Sequence, residues 1–185
     1  MHEHRASLRC FFAFWPDADT RLAIARQRDA LSATQPSPVR PMRDENLHLT
    51  LVFLGNINQQ QLHQAQAVAE QVRAQAFEWY LDRYGYFPRP KVLHYQPSHV
   101  PAAAEDCQHQ LNTALQAAGL PHEQRSWVPH VTLLRKATAA STRQAPRVRW
   151  RVAEFVLVVS RQQAQGVVYE PVGRWPLLNA LLGNN

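Results

Sequence analysis

Leu47, Leu49, Leu51 and Phe53 alternate with His48, Thr50, Val52 and Leu54 in the stretch N-L-H-L-T-L-V-F-L-G, residues 46–55. A period of two predicts a strand. The first set should be buried, and the second opens on a histidine and a threonine that point the same way. Upstream, the apolar run L-R-C-F-F-A-F-W at 8–15 predicts a strand stopped by Pro16, with Phe11, Phe12 and Phe14 in the core. Asp17 is placed to cap a helix running to about Ser32, with Leu22, Ala25 and Leu31 inward. Pro36, Pro38 and Pro41 then enforce an extended link into the His48 strand. Asn58 caps a second helix, in which Leu62, Ala65, Val68, Ala69, Val72 and Ala76 recur every three or four residues. Residues 77–87 and 91–95 read as two strands joined through F-P-R-P. Pro101 and Gly119 bracket a third helix, whose stripe is Cys107, Leu111, Ala114, Leu115 and Ala118. A further strand is expected at about 127–134, then a polar loop at 136–146 and a long strand at 147–159. A turn at 162–166 leads to a last strand at 167–175.

The two parts of this order resemble each other: a helix, then a strand carrying His-x-Thr, then more strands. The expectation is an α+β fold of two pseudo-symmetric lobes within one domain spanning residues 1–185. Each lobe should be a mainly antiparallel sheet with helices on its outer side, and the exposed sheet faces should enclose a central cleft.

The chemistry sits in the repeat. The segment P-H-V-T-L-L-R, residues 129–135, carries the His-x-Thr-Leu pattern 82 positions after its first occurrence. A histidine titrates near neutrality, at about 6.5 when unperturbed. Two of them on opposite sides of a cleft can serve in-line displacement at phosphorus, one accepting a proton and the other donating one. Thr50 and Thr132 place hydroxyls on the same faces, within reach of phosphoryl oxygens. Arg135 lies five residues past His130; strict alternation turns it away, whereas a bulge near Leu134 would bring it into the cleft. Arg147, Arg149 and Arg151 alternate with Val148, Trp150 and Val152, which makes one strand face basic: either a solvated surface or a track for an RNA backbone. The other histidines compete poorly. His2 and His4 are terminal, His63 and His109 fall on helices, and His94, His99 and His122 fall near loops.

Composition bounds the function classes. The 185 residues include Lys and Arg in excess, for a net charge of +6, which favours a polyanionic partner. Two cysteines, Cys10 and Cys107, make no disulfide framework and suit a reducing cytosol. No run approaches the ~20 apolar residues that span a bilayer, and nothing resembles a signal peptide, so a soluble cytoplasmic protein is expected. The six scattered glycines form no phosphate loop, so no nucleoside triphosphate is expected as a partner. There is no H-E-x-x-H or C-x-x-C, and neither a metal nor another cofactor is expected.

At these residues the chain resembles the 2H phosphoesterase superfamily, and within it the bacterial and archaeal RNA 2′,3′-cyclic phosphodiesterases, also called 2′–5′ RNA ligases. The likeness runs through R-C-F-F-A-F at 9–14, both His-x-Thr segments, P-R-P-K-V-L near Arg89, and Y-E-P-V-G-R-W-P-L at 169–177. It implies a bilobal fold around a water-filled cleft and metal-free hydrolysis of RNA 2′,3′-cyclic phosphate ends to 2′-phosphomonoesters. It implies His48 as proton donor to the leaving 3′ oxygen, His130 as proton acceptor from water, Thr50 and Thr132 holding the phosphate, and Arg135 contacting it. A monomer is expected, with reversible 2′–5′ ligation by the same proton transfers. Two other readings stay open: an RNA-binding module without turnover, or the same chemistry on a small cyclic nucleotide or a 2′–5′ oligonucleotide. The chain departs from the pattern where Pro41 follows Arg40, where His94 stands in place of the tryptophan of many relatives, and near Ser160.

Overall fold

The computed structural model describes residues 7–179. Its element order is β1 (Leu8–Phe14), α1 (Ala18–Ala33), β2 (Arg40–Pro41), β3 (Leu49–Ile57), α2 (Gln59–Ala69), β4 (Phe77–Phe87), β5 (Val92–Pro97), α3 (Ala102–Ala117), β6 (Val131–Arg135), β7 (Gln144–Val152), β8 (Glu154–Gln163) and β9 (Gly166–Pro176). The fold is α+β. The strands form one sheet in the order β7-β4-β5-β6-β3-β1-β8-β9, with β2 added on β6. Each half keeps its His-x-Thr strand innermost, and the halves join where β3 pairs with β6 at one position, Leu49 opposite Val131. His2 and His4 lie outside the described residues.

Local chemistry places the helices. Asp17 caps α1 by accepting the Thr20 N–H at 2.8 Å. Asn58 and Gln61 form a reciprocal capping box on α2. Pro101 opens α3, and Gly119 follows its end at φ +67°, a left-handed conformation that favours glycine. The inward face of α1 is Thr20, Ile24, Ala25, Arg28 and Leu31; Leu22 is 51% exposed, contrary to expectation. Arg28 takes an inward position because its guanidinium bonds Asp29, Asp44 and the Met42 carbonyl. All three helices bury against one core, in which Phe14 meets Phe77 and Trp79, and Trp79 meets Trp150. These aromatics tie β1 to β4 and β7, so the halves are joined beneath the sheet as well as along it.

Several expected bounds move. The strand predicted at 127–134 is regular only from Val131, and the polar loop after it ends at Gln144, where β7 begins. The single strand expected at 147–159 breaks at Ala153. Its first part, β7, pairs with β4 at one edge, whereas β8 pairs with β1 in the other half. Helix α2 stops at Ala69, and Val72 and Ala74 are buried in the turn that follows. Among the described residues no helix is long and apolar enough to cross a membrane. Cys10 and Cys107 are buried free thiols.

Candidate active site

Both His-x-Thr segments sit at the seam. Leu49 and Val131, the residues after each histidine, pair with one another and point into the core. Paired residues of antiparallel strands share a face, so the flanking His48, Thr50, His130 and Thr132 lie on the opposite face, away from the helices.

A bulge follows each threonine. In β3, Ala13 pairs with Thr50 and Phe12 with Val52, which leaves Leu51 as the extra residue. In β6, His94 pairs with Thr132 and Leu93 with Leu134, which leaves Leu133 as the extra residue. An inserted residue shifts the alternation by one. Val52 and Leu54 therefore join Leu51 in the core, and Phe53 moves to the site face, the reverse of the pattern expected from strict alternation. The same shift carries Arg135 to the face of Thr132. Phe53 and Arg135 thus hold equivalent places, five residues past each histidine, and the Arg9 guanidinium lies 4.6 Å above the Phe53 ring.

The two imidazoles are held alike. His48 Nδ1–H donates to the Asn46 carbonyl and His130 Nδ1–H to the Val128 carbonyl, both at 2.7 Å. A carbonyl only accepts, so each Nδ1 carries the proton and each Nε2 is free for chemistry. His48 Nε2 accepts the Thr50 hydroxyl at 3.1 Å. The Thr132 hydroxyl makes no hydrogen bond among the described residues. Asn46, itself buried, donates to the Val167 carbonyl and accepts the Tyr169 N–H, and so ties the His48 anchor to β9.

Aromatic rings enclose His48. Trp15 stacks on it at 5.7 Å, Phe11 lies at 4.8 Å, and Tyr169 meets it edge-on at 5.1 Å. This burial pushes the His48 pKa down to about 4, and the nearby positive charges of His130 and Arg135 add to the shift. The residue as a whole is half-buried. The His130 pKa is lowered as well, first by burial and then by Arg125 and Arg135. The Arg135 charge thus bears on both histidines.

The sequence reading missed His94. It lies on β5, is 2% exposed, stacks on Phe87 at 4.2 Å and meets the His130 ring at 5.0 Å. Phe87 also packs edge-on to His130 at 5.0 Å. Phe11 is buried, as expected with Phe12 and Phe14, but in a second apolar cluster on the His48 face, with Trp15 and Tyr169 packed against it. Counting outward from Phe12 and Phe14 by alternation would have found it. Nothing local marks His94, whose place depends on the register of β5 against β6. Among the described residues, no group of three or more His, Cys, Asp or Glu side chains could hold a metal ion.

A family model for the 2′–5′ RNA ligase superfamily matches residues 14–164. The chain belongs to this superfamily. It is 31% identical over 171 residues to the RNA 2′,3′-cyclic phosphodiesterase of Escherichia coli strain K12, covering 91% of this chain and 96% of that one. It is 29% identical over 153 residues to the protein of the same name from Methanothermobacter thermautotrophicus, covering 80% and 78%. Among solved superfamily structures, apo E. coli LigT aligns with a TM-score of 0.81 at 30% identity, over 92% of this chain and 98% of that one. E. coli LigT in complex with 3′-AMP aligns with a TM-score of 0.77 at 29% identity, over 93% and 98%.

Proposed function

We propose that this protein is an RNA 2′,3′-cyclic phosphodiesterase, which opens a terminal cyclic phosphate to a 2′-phosphomonoester. The observation that carries the reading is the pair of imidazoles at the seam, each presenting Nε2 from its own half with a threonine hydroxyl two residues on. Relatives at this identity bear the same activity in their names.

In this scheme His130 Nε2 takes a proton from water, whose oxygen attacks phosphorus. His48 Nε2–H gives its proton to the departing 3′ oxygen, in line with the attack. Thr50, Thr132 and Arg135 hold the non-bridging oxygens, where negative charge builds up in the transition state. At neutral pH His48 is unprotonated in the free protein. An incoming phosphate diester brings a negative charge, which raises the pKa of both histidines and lets His48 take up its proton. A histidine held so low is a strong acid once protonated, which suits it to the leaving-group side. With an RNA 5′-hydroxyl attacking phosphorus in place of water, the same two transfers release the 3′ oxygen and form a 2′–5′ bond, and their reversal cleaves it. The two histidines supply both transfers, so the scheme invokes no metal.

The test is turnover of an oligoribonucleotide with a 2′,3′-cyclic end, in EDTA, with the product's phosphate position determined. A 2′-phosphate product is expected. Salt-sensitive RNA binding without turnover of any cyclic phosphate would instead mark a binding module. Turnover confined to mononucleotides or to 2′–5′ oligonucleotides would assign the same chemistry to another ester.

A further inference from the structure

The face that carries His130 continues outward across β5 and β4 to β7. His94 pairs with Thr132 on one side and with Gly85 on the other. Two residues on, Gln96 pairs with Arg83, and Arg83 pairs with Gln144 of β7. Tyr84 and Tyr95 point into the core and pack together, so Arg83, Gly85, His94 and Gln96 share the open face. The His94 ring reaches His130 at 5.0 Å, and its Nε2 is 2.9 Å from Gln96 Oε1. A continuous polar surface therefore runs from the histidine pair to Arg83, two strands away, or about 10 Å at ordinary strand spacing.

Beyond Arg83 this surface opens into a cavity of about 500 Å³, beside the histidine pair and not at it. Arg83, Arg143 and Arg147 line it, together with Asp82, Ser98 and Gln144. Asp82 is already engaged, accepting the Ser98 N–H at 2.7 Å and the Ser98 hydroxyl at 2.6 Å. None of the three arginines is in an ion pair among the described residues. At other surface positions, Arg149 pairs with Glu78, Arg161 with Glu170 and Arg174 with Glu154. Arg147 lies over the Tyr80 ring at 3.9 Å, which fixes the plane of its guanidinium. Guanidinium groups lining one cavity repel one another unless an anion offsets their charge. Planar forks of this kind match the two oxygens of a phosphate.

We propose that this cavity is a second phosphate subsite. It holds a phosphodiester of the RNA strand, upstream of the cyclic end seated at His48 and His130. The subsite makes the protein prefer oligonucleotide ends over cyclic mononucleotides. The proposal rests on the function given above for the first site.

The experiment compares wild type, an Arg83→Gln/Arg143→Gln variant, and an Arg161→Gln/Arg174→Gln control that loses the same charge from paired arginines. Two quantities are read. The first is the ratio of kcat/KM for a cyclic-ended oligoribonucleotide to that for a 2′,3′-cyclic mononucleotide. The second is the salt dependence of binding for a labelled oligoribonucleotide ending in a 2′-phosphate. In the Arg83/Arg143 variant the ratio should fall at least tenfold, and the slope of log K against log salt should be shallower by about 0.7, the value for one single-strand phosphate contact. The control should keep both near wild type. Equal loss in both variants, or in neither, would overturn the subsite. So would loss of inorganic phosphate binding in the Arg83/Arg143 variant with oligonucleotide binding intact, which would assign the cavity to a free anion. Arginine-dependent oligonucleotide binding by a wild type that turns over no cyclic end would support the subsite and refute the catalytic reading.

Discussion

His48 is half-buried among three rings and held neutral at neutral pH, with a consequence that can be measured. Its folded-state pKa, near 4, lies below the value of about 6.5 expected in the unfolded chain. As pH falls, the unfolded chain therefore binds the proton first. The stabilisation is complete above about pH 6.5 and drains away as pH drops towards 4. Burial also presses His94 down to about 4, so it acts in the same window. The melting temperature should fall between pH 6.5 and 4, less steeply in a His48→Gln variant, and inorganic phosphate should reduce the fall. Identical slopes for wild type and variant would show that His48 is not held neutral by the fold. Because the His130 pKa is also depressed, the acid limb of kcat/KM should lie below pH 6.5 if His130 is the base, as proposed.

At the scale of elements, the paired bulges decide what faces the substrate. Leu51 and Leu133 each add one residue opposite a regular partner, and each rotates the residue five past its histidine onto the site face. The neighbouring strand β4 contributes through an absence. Gly85 lies under His94, and a Cβ there would collide with the ring, with His94 Cε1 and Gln96 Oε1 both at 2.8 Å. Gly85→Ala should lower stability by about 1–3 kcal/mol, as overpacking does. It should also displace His94 from the edge of His130 and lower kcat/KM with it. Wild-type melting and activity in this variant would mean that the His94 ring is free to move. The sequence carried much of this level. The strand at 77–87, the caps at Asp17 and Asn58, and Pro101 and Gly119 around α3 were all legible, because each depends on residues a few positions apart. The bulges were not, since a bulge exists only against a partner strand; Val52 and Phe53 were assigned to the wrong faces for that reason. The break at Ala153 was hidden because R-V-R-W-R-V-A-E-F-V keeps its apolar rhythm through the point where the chain changes halves. His94 was passed over because neither its burial nor its contact with His130 follows from its own neighbours.

For the molecule as a whole, the seam brings together two His-x-Thr segments 82 positions apart. The halves meet through Leu49 and Val131, so the pairing that joins the sheet also sets the distance between the histidines. Trp127 Nε1–H donates to the Thr50 carbonyl at 2.9 Å, and the Glu123 N–H donates to the Phe53 carbonyl at 2.8 Å, so the chain leading to His130 is strapped along β3. The two imidazoles are thereby placed by one frame, with the same tautomer and the same free nitrogen. Groups that act as a unit lose their effect together. The most direct test is the turnover of a 2′,3′-cyclic RNA end by His48→Ala, His130→Ala and the double variant, each first shown to be folded. Each single variant should lose about 10²–10⁴ in kcat, the range that one acid or base supplies, and the double variant should lose far less than the product of the two. A single variant that keeps turnover within about fivefold of wild type would contradict a shared acid–base pair at the seam.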